Sequence, residues 1–174
     1  MALYAISDLH LSLGTDKPMD VFGDNWENYE EKLKINWNST VKSSDIVIVN
    51  GDNSWATYLD DAKNDFSYIN SLNGTKILLK GNHDYWWTTI SKHNKFCEEN
   101  GFDTIKFLHN NYFMYGDTAI CGTRGWQITQ ADAEDMKIYN RELERLENSI
   151  KPALKENPRE IIVALHFPPD DRFK

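Results

Sequence analysis

The stretch TKILLKGNHD, residues 75–84, decides the fold because it joins an apolar strand directly to a group of polar side chains. Residues 75–80 form a short apolar run, and Asn73-Gly74 before them is typical of a turn, so the run predicts a strand. The strand is followed at once by four small or polar residues: Gly81, Asn82, His83 and Asp84. Other apolar runs of this chain end in the same way.

The composition is typical of a single globular domain. A length of 174 residues falls within the roughly 100–200 residues usual for one domain, and a hydrophobic fraction of 40% is sufficient for a core. No apolar run reaches the ~18 residues of a transmembrane helix, and the N-terminus lacks the basic region of a signal peptide. Cys97 and Cys121 lack the CxxC spacing of zinc and redox sites, so we expect free thiols in a cytoplasmic protein.

The charge of the chain argues against broad binding of nucleic acids. The net charge is -8, from 27 acidic and 19 basic residues, whereas nucleic-acid binding depends on a basic surface. A nuclease is therefore the weakest functional hypothesis, and salt-sensitive DNA binding would revive it. The chain also lacks the GxGxxG and P-loop motifs of nucleotide-binding proteins.

Apolar runs and helical periodicity predict strands that alternate with helices in the first part of the chain. The predicted strands are residues 2–7, 45–50, 75–80, 104–108, 111–115, 118–122 and 160–166, and the last of them reads as a buried strand. The predicted helices are residues 26–41, 58–72, 88–100 and 130–151, with Gly101 as the cap of the third. Alternation favours a parallel sheet, and Gly116-Asp117 predicts an antiparallel hairpin. We therefore expect a layered α/β sandwich with a mixed sheet.

The helix at residues 130–151 has the clearest pattern. Its apolar residues recur at steps of three and four: Met136, Tyr139, Leu143, Leu146 and Ile150. Thr129 and Asp132 predict a capped start, and Pro152 and Pro158 predict the end of the helix.

Four of the predicted strands lead directly into Asp, Asn or His residues. These residues are Asp8 and His10, Asp52 and Asn53, Asn82 with His83 and Asp84, and finally His166. Taken singly, each has a plain structural explanation as a helix cap, a turn former or a core histidine. Because ligands of open α/β sheets bind at the carboxyl ends of the strands, we expect these residues to converge. His93 and His109 follow no such strand, and we expect both to be structural.

The converging residues have the chemistry of a metal site. The candidate ligands offer oxygen and nitrogen but no thiolate: Asp8, His10, Asp52, Asn82 and His166. This mixture suits Mn, Fe, Zn or Ni, with Mg as a further candidate. Asp52 on a central strand would bridge two ions ~3.5–4 Å apart, which would hold a hydroxide and clamp a phosphate. His83 would then protonate the leaving group, and Asp84 would orient its ring.

These motifs resemble those of a known family. Asp8-x-His10, Gly51-Asp52-Asn53 and Gly81-Asn82-His83-Asp84 are similar to successive motifs of the calcineurin-like metallophosphoesterase superfamily, and Ala-Leu-His166-Phe-Pro-Pro resembles its fourth motif. The resemblance covers nearly the whole chain. It implies a four-layer α/β/β/α sandwich and a metal-dependent phosphoesterase, a hydrolase that cleaves phosphate esters.

The resemblance also implies the roles of individual residues. Asp8, His10 and Asp52 would ligate one metal. Asp52, Asn82 and His166 would ligate the other, with Mn²⁺ the leading candidate for both ions. His83 would be the acid, or a stabiliser of the phosphoryl transition state.

One motif of the family is missing. Its fifth motif, Gly-His-x-His, is absent from the chain, so we expect one domain over residues 1–174 that lacks its last strands and one ligand at each metal. This predicts weaker metal binding and an open sheet edge, which a homodimer would cover. The alternative function is a non-catalytic metal-binding or protein-interaction scaffold on the same fold.

The loops after the ligand strands carry the candidates for binding a small phosphorylated substrate, either a monoester or a diester. Their aromatic residues either pack the loops onto the core or form a rim that stacks on the leaving group: Trp55, Tyr85, Trp86, Trp87 and Trp126. Arg124 either binds phosphate in fork geometry or forms an ion pair. Asn53 is a candidate hydrogen-bond donor to phosphate.

Overall fold

The computed structural model describes residues 1–17, 19–23, 26–130 and 132–169. The chain forms two compact units. The first unit comprises Met1–Leu78 and Asn82–Phe107, and the second comprises Leu79–Gly81 and the chain from Leu108 onward.

The first unit is built on a four-stranded parallel sheet. Its strands are β1 (Leu3–Ile6), β2 (Ile46–Val49), β3 (Thr75–Leu78) and β4 (Ile105–Phe107), and they lie side by side in chain order. Ile6 pairs with Val49, and Val49 pairs with Leu78, so the first three strands end level with one another. The loops that follow these strands therefore begin at the same edge of the sheet.

Three helices connect the parallel strands: α1 (Tyr29–Thr40), α2 (Lys63–Ser71) and α3 (Ile90–Asn100). All three confirm predicted helices, although α2 begins later than residue 58. Asp61 donates its amide to the Tyr58 carbonyl (3.2 Å), a short-range bond of a turn rather than of an α-helix. Gly101 ends α3 with φ 70°, the left-handed conformation expected of its cap.

The core of the first unit is aromatic. Phe66 is fully buried and packs edge-on against Trp86, with ring centroids 5.0 Å apart. His93 is also fully buried, accepts the Thr88 amide at Nε2 (2.9 Å) and packs against Phe107. The predicted structural role of His93 is therefore confirmed.

The second unit contains a mixed three-stranded sheet. Its strands are β5 (Phe113–Tyr115), β6 (Thr118–Thr123) and β7 (Glu160–Leu165), in that order, and α4 (Ala133–Ala153) connects β6 to β7. The β5–β6 pair is antiparallel, as predicted, and the β6–β7 pair is parallel. One parallel sheet and one mixed sheet confirm the α/β class, and the four-layer sandwich stays a prediction.

The predicted start of α4 was wrong, whereas its end lies between Pro152 and Pro158, as predicted, and two residues beyond residue 151. The cap is Asp132 alone, whose Oδ1 accepts the amides of Glu134 (3.0 Å) and Asp135 (2.8 Å). Ala131, inside the predicted helix, lies outside the described residues. The helix continues through Pro152 to Ala153, because a proline near the end of a helix removes only one late hydrogen bond.

The prediction that the last strand is buried was also wrong. Ile162 and Val163 in β7 are 39% and 42% exposed. Within the described residues, β7 is an edge strand of its sheet and pairs only with β6. An apolar run predicts a strand, but burial depends on how many neighbours cover that strand.

Candidate metal centre

The loops after β1 and β2 stay hydrogen-bonded beyond the strands. The Asp8 amide donates to the Gly51 carbonyl (3.1 Å), and the His10 amide donates to the Asp52 carbonyl (2.9 Å). A short parallel bridge continues the pairing after these bonds. The backbone of both loops is therefore held in place at the sheet edge.

Three candidate ligands share an unusual backbone conformation. Asp8, His10 and Asp52 have φ values of 60°, 47° and 53°, and they are three of the six non-glycine residues with positive φ in the described part of the chain. Such a conformation costs an L-residue on the order of 1–3 kcal/mol, and it clusters at functional sites. The strain therefore marks the same residues as the sequence motifs.

The side chains of these three residues converge. Nε2 of His10 lies 3.4 Å from Oδ1 of Asp8 and 3.8 Å from Oδ2 of Asp52. One ligand atom from each residue lies within 4.8 Å of the other two. Two carboxylates at this separation repel each other, and a cation between them removes the repulsion. Carboxylate oxygen and imidazole nitrogen are ligands for divalent metals, so this donor set fits a metal ion.

His83 lies beside the same carboxylate. Its amide donates to Oδ1 of Asp52 (2.8 Å), and its Nε2 lies 3.9 Å from Oδ2. The ring centroid is 5.8 Å from that of His10. Nδ1 is buried and has no hydrogen-bond partner among the described residues. The loop after β3 therefore delivers His83 to the Asp8–His10–Asp52 cluster.

Asp84 differs from the prediction that it orients the His83 ring. Its side chain is fully buried, and its carboxylate accepts hydrogen bonds from the loop that carries Asp52. The physical reason is that the loop turns at Asp84, where Tyr85 donates its amide to the His83 carbonyl (2.8 Å), so that neighbouring side chains point in different directions. His83 therefore faces Asp52, while Asp84 faces the backbone of the neighbouring loop.

Asn53 and Asn82 occupy different environments. Asn53 is fully buried, and its Nδ2 donates to Oδ2 of Asp84 (2.9 Å). Asn82 is half-buried on the loop that follows β3. The predicted contact of Asn53 with phosphate and the predicted metal ligation by Asn82 stay predictions.

Trp55 is the aromatic residue that packs on the cluster itself. Its ring stacks on His10, with centroids 4.9 Å apart and an interplanar angle of 22°, and lies 4.6 Å from the His83 ring. Nζ of Lys17 lies 5.5 Å from the Trp55 centroid. Tyr85 is 60% exposed, with its ring 6.3 Å from His83. Trp55 and Tyr85 therefore lie where aromatic residues of a rim are expected. Lys17 lies beside this rim and was not predicted from the sequence.

Trp86 and Trp87 pack their loop onto the core, which was the alternative to a role in a substrate-binding rim. Only 1% of Trp86 is exposed, and the half-buried Trp87 packs edge-on against Phe107. Trp86 is therefore part of the core, and Trp87 packs against the core from a half-buried position.

Two further residues that support the cluster were not predicted from the sequence. The Tyr29 hydroxyl donates to the His10 carbonyl (2.9 Å), and burial raises the pKa of Tyr29, so the phenol keeps its proton. Asp65 is fully buried, accepts the Leu13 amide (2.7 Å) and accepts a hydrogen bond from the Ser54 hydroxyl. The sequence feature that could have indicated a role for Asp65 is the position of this aspartate on the apolar face of the predicted helix at residues 58–72.

The remaining predicted site residues belong to the second unit. His166 follows β7, is half-buried, and donates its amide to the Arg124 carbonyl (3.1 Å). Nη2 of Arg124 lies 3.5 Å from Oε1 of the buried Glu142, and the guanidinium lies 4.9 Å from the Trp126 ring centroid. Arg124 therefore forms the ion pair that was the alternative to phosphate binding. Metal ligation by His166 stays a prediction.

Trp126 has a fixed position in the second unit. Its Nε1 donates to Oδ1 of Asp135 (2.9 Å), and its ring packs edge-on against Phe167. The same two rings line a cavity of about 180 Å³. The predicted contact of Trp126 with substrate stays a prediction.

The fold and the cluster define an α/β protein with a candidate metal centre of carboxylate and imidazole ligands. The calcineurin-like phosphoesterase family model matches residues 1–173, so the chain belongs to that family, as its motifs indicated. No curated protein matches the chain. A crystal structure of a protein of unknown function from Aquifex aeolicus is similar, at 22% identity over 95% of this chain and 90% of that chain, with a TM-score of 0.48. Within the described residues, no helix is long and apolar enough to cross a membrane.

Proposed function

We propose that the protein is a phosphoesterase that uses two divalent metal ions to hydrolyse a phosphate monoester or diester. The observation that carries this proposal is the Asp8–His10–Asp52 cluster, with His83 beside it, in a chain of the calcineurin-like phosphoesterase family. In this proposal Asp52, Asn82 and His166 hold the second ion. Mn²⁺ is the metal we expect, with Fe, Zn, Ni and Mg as alternatives.

Divalent ions in such a centre supply a hydroxide nucleophile at neutral pH and neutralise the charge of the phosphate. The two carboxylate ligands differ in burial. The Asp8 side chain is 51% exposed, whereas the Asp52 side chain is only 3% exposed. The substrate therefore reaches the site from the Asp8 side. His83 is 36% exposed and lies between solvent and Asp52, a position suited to donating a proton to the leaving oxygen.

The surroundings of the cluster suit a small phosphorylated substrate with an aromatic or apolar leaving group. Trp55 and Tyr85 offer ring surface beside His83, and Lys17 supplies a positive charge above Trp55. In this proposal Asn53 and Trp126 complete the contacts with substrate, whereas Arg124 is engaged in its ion pair with Glu142. The buried free thiols of Cys97 and Cys121 are compatible with the cytoplasmic location we propose.

Hydrolysis of an aryl phosphate and a bis-aryl phosphate tests the proposal and separates the two substrate classes. We expect turnover that a chelator removes and added Mn²⁺ restores. Absence of metal-dependent turnover with both substrates would overturn the proposed activity. If Mn²⁺ still binds stoichiometrically in that case, the result supports the non-catalytic scaffold.

A further inference from the structure

Several hydrogen-bond donors of the described residues converge on the carboxylate of Asp84, beside the candidate metal centre. Five donors converge on it: the amides of Asp52 (2.9 Å), Asn53 (2.8 Å) and Ser54 (3.3 Å), Nδ2 of Asn53 (2.9 Å) and Nε1 of Trp86 (3.0 Å). The side chain is fully buried. Since an ionised carboxylate only accepts hydrogen bonds, five converging donors match its chemistry.

Three of these donors are consecutive backbone amides of the loop that carries Asp52. Consecutive amides point toward one acceptor only when the backbone turns around it, as in the anion-binding nests of protein loops. Asp52 has φ 53°, a conformation that L-residues adopt reluctantly. The hydrogen bonds to Asp84 therefore stabilise a local conformation that Asp52 does not favour by itself.

The contact between the two loops is reciprocal. Oδ1 of Asp52 accepts the His83 amide (2.8 Å), while Oδ2 of Asp84 accepts the Asp52 amide (2.9 Å). Because β2 and β3 are paired neighbours that end level with one another, both loops leave the same edge of the sheet. The two aspartates thus hold each other's loops, and Asp52 keeps Oδ2 directed toward His10 and His83.

We propose that Asp84 is a positioning residue of the metal centre, which holds residues 52–54 so that Asp52 presents its carboxylate to the metal. This role replaces the predicted orientation of the His83 ring. It rests on the proposed function, because it requires a metal at Asp52. It differs from a purely structural role in one respect, namely that loss of the carboxylate lowers the metal affinity of the folded protein.

The same unit provides a matched structural carboxylate. Asp45 is 3% exposed and accepts the amides of Ala2 (2.7 Å) and Lys42 (2.8 Å), but it precedes β2 rather than following it. Asp45→Asn therefore replaces one acceptor oxygen of a comparable buried carboxylate with an NH₂ donor, at the opposite end of the strand. Asp84→Asn makes the same replacement beside the candidate metal centre.

The experiment measures the dissociation constant for Mn²⁺ by calorimetry in the unaltered protein and in both variants, below the unfolding temperature of each. We expect Asp84→Asn to raise the dissociation constant about 10–100-fold, the usual effect of losing a group that orients a metal ligand. We also expect the electron paramagnetic resonance spectrum of Mn²⁺ bound to Asp84→Asn to differ from the spectrum of Mn²⁺ bound to the unaltered protein. Asp45→Asn leaves both readouts unchanged. Unchanged affinity in Asp84→Asn, or equal weakening in Asp45→Asn, overturns the inference.

A second pair of variants decides the matter if Asp84→Asn does not fold. Trp86→Phe removes one donor to Asp84, whereas Trp37→Phe removes a buried indole bond to the Asn73 carbonyl (2.9 Å). We expect weaker Mn²⁺ binding only in Trp86→Phe, and equal affinities in both variants contradict the inference. Failure of the unaltered protein to bind Mn²⁺ overturns the proposed metal centre itself, which is a different result.

Discussion

Each of the two units contains a buried acidic side chain close to other ionisable groups, Asp52 in the first and Glu142 in the second, and 3% of each side chain is exposed. Glu142 lies on a regular helix, 2.6 Å from Nη1 of Arg145 and 3.5 Å from Nη2 of Arg124. Asp52 lies on left-handed backbone, and the Asp8 carboxylate belongs to the same cluster. One buried acid has its counter-charges in the chain, whereas the other shares its cluster with a second acid.

This difference separates a structural ion pair from a candidate functional site. Arginines that neutralise Glu142 make its burial compatible with stability, and no further ligand is needed. Clustered carboxylates on strained backbone lower the stability of the protein, and a bound cation offsets that cost. Substitution of Asp52 should therefore affect metal binding and activity, whereas substitution of Glu142 should affect stability.

The largest expected effect is that of Asp52→Asn, which removes the carboxylate common to both proposed metals. We expect metal-dependent turnover to disappear and the Mn²⁺ affinity to fall more than about 100-fold, beyond the range for groups that only orient a ligand. Without metal, the variant should be at least as stable as the unaltered protein, because one of two repelling charges is gone. Calorimetry and thermal unfolding measure both, and retained Mn²⁺ affinity would contradict the proposed centre.

His83→Ala should lower kcat about 10²–10⁴-fold, the usual contribution of a general acid. The Mn²⁺ affinity should stay near that of the unaltered protein, because His83 is proposed as a proton donor rather than as a ligand. His109→Ala is the matched control, since His109 belongs to the second unit and was predicted to be structural. Steady-state kinetics with an aryl phosphate check this prediction, and equal kcat values in the two variants would count against the role of His83.

Glu142→Gln should lower the free energy of unfolding rather than affect catalysis. Removing one partner of a buried ion pair costs about 3–5 kcal/mol of the free energy of unfolding, because Arg124 and Arg145 lose their counter-charge. Glu147→Gln is the control, since Glu147 is 61% exposed and pairs with the exposed Lys151, and such surface pairs contribute about 0.2–1 kcal/mol. Urea unfolding measures the difference, and equal losses would remove the distinction between the two acids.

The smallest expected effect concerns the pH dependence of stability through Asp65, which supports the loops of the first unit. Burial raises the pKa of Asp65 above its ordinary value of 3.8. Its contribution to stability is therefore complete below the unfolded-state pKa and is lost as the pH rises through the folded-state pKa. Asp65→Asn should remove this decline, as measured by unfolding from pH 4 upward. An unchanged pH profile would show that Asp65 does not titrate in this way.

Most of the secondary structure and the first-unit cluster could be predicted from local patterns. The strand before Gly81-Asn82-His83-Asp84 and the polar ends of β1 and β2 were visible because apolar runs and turn residues act over a few positions. The left-handed conformations of Asp8, His10 and Asp52 were not visible, since backbone strain has no residue signature of its own. Asp65 left only a weak signal, and Lys17 left none.

The sequence by itself determined which residues stand at the ends of the strands, because strand formation and turn chemistry are local properties. Only the tertiary structure decided what those residues face. The backbone amides that donate to Asp84 lie 30 to 32 residues away in the sequence. Arg124 pairs with a buried glutamate on α4 rather than facing solvent. The exposure of β7 likewise depends on which other segments cover it. Such contacts join distant parts of the chain, so packing determines them and local sequence does not.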